Sequence, residues 1–147
     1  MIADGVARSP EDTENAGRRL AGVLTATDVV YLLGDLGSGK TCFARGLATG
    51  LGASPREVAS PTFAIVHEYA APGGGLVLRH LDLYRIPDLV PELEALGVPE
   101  TLSGAPVAVE WPGAAMRKLL APTVEVTLDR MADGTRRITI RRTPPDR

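Results

Sequence analysis

The sequence predicts one α/β domain, a central β-sheet flanked by helices, and three observations predict it. Short, continuously apolar, β-branched runs such as DVVYLL (28–33) have the look of buried strands. Segments with helical spacing of apolar residues lie between them. Two pairs of runs close around glycine turns, which reads as β-hairpins after the glycine-rich loop and at the C-terminus. At 147 residues the chain is long enough for a real core and too short for two domains.

In chain order, residues 1–8 are expected to be a loose end. Ser9-Pro10-Glu11 is a helix start: an N-cap candidate, proline at the first helical position and acids in the first turn. Leu20, Val23 and Leu24 continue that spacing, so 10–26 reads as an amphipathic helix. The strand 28–33 follows, then a glycine-rich loop, then a helix over 40–51 that stops at Gly50 or Gly52. SPTF (60–63) interrupts the pattern. AIVHEYA (64–70) and LVLRHLDLYR (76–85) flank a Gly73-Gly74-Gly75 turn as the first hairpin. DLVPELEALG (88–97) reads as a short helix with a glycine stop. PVAVEW (106–111) is a buried strand cut off by Pro112. TVEVTLDR and RRITIRR alternate about Ala132-Asp133-Gly134 as the second hairpin, and 143–147 is a frayed tail.

Composition excludes several classes. With 44% hydrophobic and 23% charged residues, the chain is an ordinary globular one. A net charge of -2 gives no general attraction to nucleic acid or anionic membrane. The single cysteine, Cys42, cannot form an internal disulfide or a zinc site, which fits a reducing cytoplasm. The start MIADGVARSPEDTE has no apolar run behind a basic stretch and is not expected to be a signal peptide. No window approaches the roughly 18 apolar residues of a membrane span. Of sixteen basic residues only Lys40 and Lys118 are lysine.

One of those two lysines closes GDLGSGKT (34–41), which matches G-x-x-x-x-G-K-[ST] between a predicted strand and a predicted helix. The spacing has a mechanical reason. Glycines at 34, 37 and 39 let the chain curl so that successive N–H groups aim at one phosphate group. The next helix points its N-terminal dipole at the same anion. Lys40 can reach the β- and γ-phosphates, and the Thr41 hydroxyl can ligate Mg²⁺. The fold class is therefore P-loop NTPase-like, and Asp35, Leu36, Gly37, Ser38, Gly39, Lys40, Thr41 and Cys42 are the expected phosphate-side contacts.

A nucleotide hydrolase needs more: a second group for the metal and something to orient the attacking water. Asp82 ends LVLRHLD, where a Walker-B-type aspartate would face the phosphates. Glu110 ends PVAVE. A glutamate is costly inside the sheet layer and should project into the crevice, or else it is a solvated strand end. Trp111 follows it as a core residue or a contact at the site rim. Thr62 sits in an irregular Ser-Pro-Thr-Phe turn that could close on the γ-phosphate as a switch segment does, or be a plain turn residue. His80 reads as a packed or supporting histidine rather than a catalyst, and His67 has no assigned role. Cys42, in the first helical turn, could have a lowered pKa but reads better as a small apolar residue.

GDLGSGKT, SPTF, HLDLYR and VEWP, in that order, resemble the TsaE/YjeE family, the small bacterial ATPase required for making threonylcarbamoyladenosine in tRNA. The early Thr13 followed by GRRLA, RGLATGLG after the loop, and EALG also match, so the resemblance runs from about residue 9 to 141. It implies ATP on the loop, with Lys40 on phosphate oxygens and Thr41 on Mg²⁺. Thr62 would belong to the switch-like segment and Asp82 would be the Walker-B-like acid. Glu110 would act at the metal and the attacking water, with Trp111 beside it. Thr13 would contact the nucleotide from the first helix, and a basic residue of the last hairpin maps to Arg136 or Arg137. Where the family's loop often has alanine, this chain has Ser38. The resemblance further implies that the ATPase does not modify tRNA itself. It would act on the TsaB–TsaD complex, slowly without those partners, and touch tRNA only indirectly. A separate enzyme would make the threonylcarbamoyl-adenylate donor.

A GTPase would show an Asn/Thr-Lys-x-Asp guanine-reading segment, and Lys118 in RKLLA does not fit one. A small-molecule kinase would need an acceptor pocket and an arginine-rich lid, which RIPDLVPELEALG does not resemble. A nucleotide-gated binding module with negligible hydrolysis stays open, because no arginine finger is evident.

Overall fold

The computed structural model describes residues 2–59 and 65–143. Seven strands form one sheet: β1 (Ala3–Ala7), β2 (Val29–Leu33), β3 (Val66–Ala70), β4 (Leu76–Asp82), β5 (Val107–Glu110), β6 (Val124–Arg130) and β7 (Arg136–Arg142). Their order across the sheet is β1-β7-β6-β2-β5-β4-β3. The four central strands β6, β2, β5 and β4 are parallel, while the two hairpins add β7 and β3 antiparallel on either side. Both expected hairpins are present.

The helices are α1 (Pro10–Ala21), α2 (Lys40–Gly50), α3 (Pro55–Ala59), α4 (Val90–Ala95) and α5 (Ala114–Leu119). β2 reads VVYLL because both its faces are covered. Val30 and Leu32 join Leu20, Phe43 and Leu47 beneath α1 and α2. Val29 and Tyr31 join Leu93 and Met116 beneath α4 and α5. A continuously apolar strand is what a two-sided burial demands.

Several boundaries depart from the sequence expectation. Residues 3–7 are not a loose end: β1 pairs antiparallel with β7, Ala3 opposite Ile140 and Ala7 opposite Arg136. Arg137 reinforces the pairing through a two-pronged contact with Asp4 at 2.8 and 3.2 Å. Helix α1 starts as expected, with the Ser9 hydroxyl accepting from the Asp12 amide at 3.2 Å, but it stops at Ala21 rather than 26. Asp28 takes the Thr25 amide at 2.8 Å and the Thr25 hydroxyl at 3.3 Å, and this turn ends helical continuation before β2. Helix α4 spans only Val90–Ala95 of the expected 88–97, because Asp88 is engaged elsewhere. Its carboxylate accepts from the Ala115 and Met116 amides at 3.0 and 3.2 Å, capping α5, a helix the sequence reading did not anticipate. α3 was likewise unexpected. The tail beyond residue 143 lies outside the described residues.

Candidate nucleotide site

β2, β4 and β5 run parallel, so Leu33, Asp82 and Glu110 reach the same edge of the sheet. Asp82 and Glu110 are directly paired in register. The chain leaves β2 through residues 34–39 and enters α2 at Lys40. Gly34 has φ +153° and Gly39, the N-cap of α2, has φ +102°, backbone that side chains rarely adopt. At Gly34 a Cβ would meet the Leu128 carbonyl oxygen at 2.5 Å and the Ser38 Oγ at 2.6 Å. The motif's glycines are thus required by the curl and by the close approach of β6.

The loop, the start of α2 and the ends of β4 and β5 line one cleft of about 390 Å³. Leu36, Gly37, Ser38, Gly39, Lys40, Thr41 and Cys42 face it together with Asp82, Tyr84, Glu110, Trp111 and Arg136. Asp35 is exposed beside it and reaches the lysine through its carbonyl. Lys40 is buried, its ammonium donating to the Gly34 carbonyl and, at 3.4 Å, to that of Asp35. The same ammonium sits 3.6 Å from the Trp111 ring centre, a cation–π contact. Burial holds the Lys40 ammonium below the usual lysine value, opposed by the carboxylates of Glu110, Asp35 and Asp82. Trp111 has φ +60°, so the chain turns sharply straight after Glu110, and its ring stacks at a tilt on Tyr84 at 4.9 Å.

Glu110 is 4% exposed. It is not a solvated strand end: its Oε2 lies 2.7 Å from Nε2 of His80, itself buried on β4. Asp82 is exposed and accepts from the Tyr84 amide at 3.1 Å, which leaves most of its carboxylate open to the cleft. Arg136 donates to the Gly37 carbonyl at 3.0 Å and the Gly134 carbonyl at 2.6 Å, bridging the last hairpin to the loop. Arg137 lies in the opposite direction on β7, on Asp4. A smaller space of about 140 Å³ adjoins the cleft, lined by Ser9, Pro10, Thr13, Gly39, Cys42 and Arg136 among others. Thr13 is buried there, and a Cβ on Gly39 would lie 3.5 Å from its methyl group. Thr62 lies outside the described residues. His80, read from sequence as a packed or supporting histidine, is buried against the Glu110 carboxylate. An alternation of His80 and Asp82 on β4, at the strand's carboxyl end, was the only signal for it.

The residues present suit a nucleotide's phosphates and a hard cation. Within the loop the Ser38 Oγ is buried without a protein partner among the described residues, a cost that a phosphate oxygen would relieve. Thr41, Asp82 and Glu110 offer only oxygen donors, the kind Mg²⁺ takes. Among the described residues no three His, Cys, Asp or Glu side chains gather around one point. A cation here would therefore draw most of its shell from phosphate and water.

A glycine-curled loop between a buried parallel strand and a helix N-terminus, with its lysine turned back over the loop, defines the P-loop class of α/β proteins. Within that class the comparisons are specific. The family model described as Threonylcarbamoyl adenosine biosynthesis protein TsaE matches residues 7–138, and the chain belongs to the TsaE family. It is 40% identical over 136 residues to the tRNA threonylcarbamoyladenosine biosynthesis protein TsaE of Treponema pallidum, covering 92% of this chain and 97% of the relative. To the Bacillus subtilis protein of the same name it is 40% identical over 132 residues, covering 89% and 80%. To that of Streptomyces coelicolor it is 39% identical over 128 residues, covering 84% and 86%. The fold is similar to the crystal structure of YdiB from Bacillus subtilis, with a TM-score of 0.73, 31% identity and coverage of 97% and 86%. No helix among the described residues is long and apolar enough to cross a membrane.

Proposed function

We propose that this chain is a Mg²⁺-dependent ATPase that supports threonylcarbamoyladenosine modification of tRNA by acting on the TsaB–TsaD complex, in the cytoplasm, without modifying tRNA itself. The observation that carries the reading is the convergence of a buried lysine and a buried glutamate on one loop-lined cleft. Loop amides and the Lys40 ammonium hold the β- and γ-phosphates. The Thr41 hydroxyl, Asp82 and Glu110 would hold the metal, directly or through its water shell. A Mg²⁺ ion held there would supply positive charge against the phosphate oxygens. Glu110 orients the attacking water, and Trp111 keeps solvent from the Lys40 ammonium. The adjoining space at Thr13, with Arg136 between it and the loop, accommodates the nucleoside side. Family membership supports the pathway, and the net charge of -2 supports leaving the tRNA to the partners.

Calorimetry tests the nucleotide: ATP binds more tightly than GTP, and a preference for GTP would sink the adenine assignment. Lys40→Ala abolishes nucleotide binding in the same measurement. Glu110→Ala retains binding but loses at least about 100-fold in phosphate release with TsaB–TsaD present, the scale expected for a group acting on the nucleophile. Normal turnover in that variant would remove Glu110 from the chemistry. Co-purification with TsaB–TsaD, with and without ATP, tests the partners, and no association in either condition would favour a stand-alone enzyme.

A further inference from the structure

We propose that His80 is a positioning residue for hydrolysis: its imidazole fixes the carboxylate of Glu110 in the orientation that serves the attacking water. The proposal rests on the hydrolytic reading above.

His80 and Glu110 stand on adjacent parallel strands, with His80 in register with Ala108, so the pair is diagonal by two residues. Diagonal neighbours lie roughly 7–8 Å apart at the backbone, within reach of two long side chains. Both side chains point to the face packed by α1 and α2, as the alternation with Leu78 and Ala108 requires. They meet at 2.7 Å, with His80 at 8% and Glu110 at 4% exposure. An ionised carboxylate only accepts, so the Nε2–H of His80 donates. Among the described residues, His80 is the one side chain hydrogen-bonded to the Glu110 carboxylate.

Packing alone does not explain this pair. Leu78, two residues earlier on the same face, fills its place with hydrocarbon. A histidine at 80 introduces a polar ring that needs a partner, and that partner is the one buried acid of the cleft. The Leu83 amide donates to the Glu110 carbonyl at 3.1 Å, which fixes the backbone there but not the side-chain rotamer. A side chain that must hold a water for in-line attack needs its rotamer fixed by a rigid neighbour, and a strand-borne imidazole is one.

Three variants separate positioning from packing. His80→Leu keeps the bulk and removes the donor. His80→Gln places an amide donor near the Nε2 position, and His80→Asn carries the same amide too short to reach. With TsaB–TsaD present, kcat for ATP falls about 10–100-fold in His80→Leu and His80→Asn and recovers to within about fivefold in His80→Gln. The dissociation constant for Mg²⁺-ATP stays within about threefold throughout, as it should when only the chemical step is touched. A second readout needs no turnover. Trp111 is the only tryptophan and adjoins Glu110. In nucleotide-free protein its emission shifts and becomes more quenchable by acrylamide in the Leu and Asn variants, and matches the parent in the Gln variant. If His80→Leu does not fold, the Asn and Gln pair carries the test. Equal turnover in those two, or tryptophan spectra that do not separate donor-bearing from donor-lacking variants, overturns the proposal. Absence of turnover in the unaltered protein overturns the hydrolytic reading instead, and the spectra then decide the role of His80.

Discussion

Asp28 is buried at the foot of β2, and its carboxylate serves three neighbours at once. Burial alone would push it up. The Thr25 amide, the Thr123 hydroxyl at 2.7 Å and Arg142 at 3.1 Å outweigh that and hold it below the ordinary value of 3.8. A carboxyl lowered by folding adds stability that is complete above its unfolded value and is lost as pH falls through its folded value. Denaturant titrations at a series of pH values should therefore show the parent weakening steadily below about pH 3.8. Asp28→Asn should be less stable at pH 7 by about 2 kcal/mol, and flatter in that acid window. Parallel curves for the two proteins would sink the assignment. Asp28 was read from sequence only as the first residue of a strand, because its partners Thr123 and Arg142 are about a hundred positions away. Lys40 and Thr41 were legible for the opposite reason: a phosphate loop is local, and its geometry is written in consecutive residues. Glu110 stood between. Its place at a strand end was visible, but its burial depends on a histidine on the neighbouring strand.

At the scale of elements, α1 and α2 lie unusually close, and glycines permit it. A Cβ on Gly46 would meet the Glu14 carbonyl oxygen at 1.9 Å, and one on Gly17 would meet that of Phe43 at 2.3 Å. Both obstacles are backbone, so neither can swing aside. Gly46→Ala should cost about 3 kcal/mol despite alanine's better helix propensity, since overpacking here means parting two helices. The same parting would move Thr13 away from Gly39. The variant should therefore also weaken nucleotide binding, measured by calorimetry at a temperature where circular dichroism shows it folded. A stability equal to or above the parent's would refute the close packing. The crossing was invisible in sequence, where these glycines look like weak points of two helices. β1 was missed because ADGVA has neither β-branched alternation nor burial on its outer positions, four of its five residues being exposed. It is a strand only because β7 offers it an edge. α5 was missed because its cap, Asp88, sits in a different part of the chain. Helix α1 and both hairpins were found because their start signals and turns are local.

At the scale of the whole molecule, β2 joins everything. It carries the phosphate loop at its carboxyl end and, like its neighbours β4 and β5, contributes side chains to the clusters on both faces of the sheet. The α4–α5 cluster does not extend over β6 and β7, where Glu125, Thr127, Asp129, Arg137 and Thr139 line an open surface instead. The two clusters are therefore tied through the central strands rather than through the sheet's far edge. A chain of 147 residues built this way should unfold in one cooperative step. A ligand seated on the loop contacts the end of β2 and the ends of β4 and β5, so it cannot stabilise one cluster without the other. Mg²⁺-ATP at 100 times its dissociation constant should add about 2.7 kcal/mol to that single step. For a domain of this size the melting temperature should rise by about 8 °C. Scanning calorimetry would show one peak that moves as a whole. Lys40→Ala should melt as one peak as well but stay in place when Mg²⁺-ATP is added, because the lost ammonium removes binding without removing either cluster. Two separated peaks, or a nucleotide-driven shift that survives in Lys40→Ala, would mean that the loop is not the seat of the ligand or that β2 does not couple the two faces.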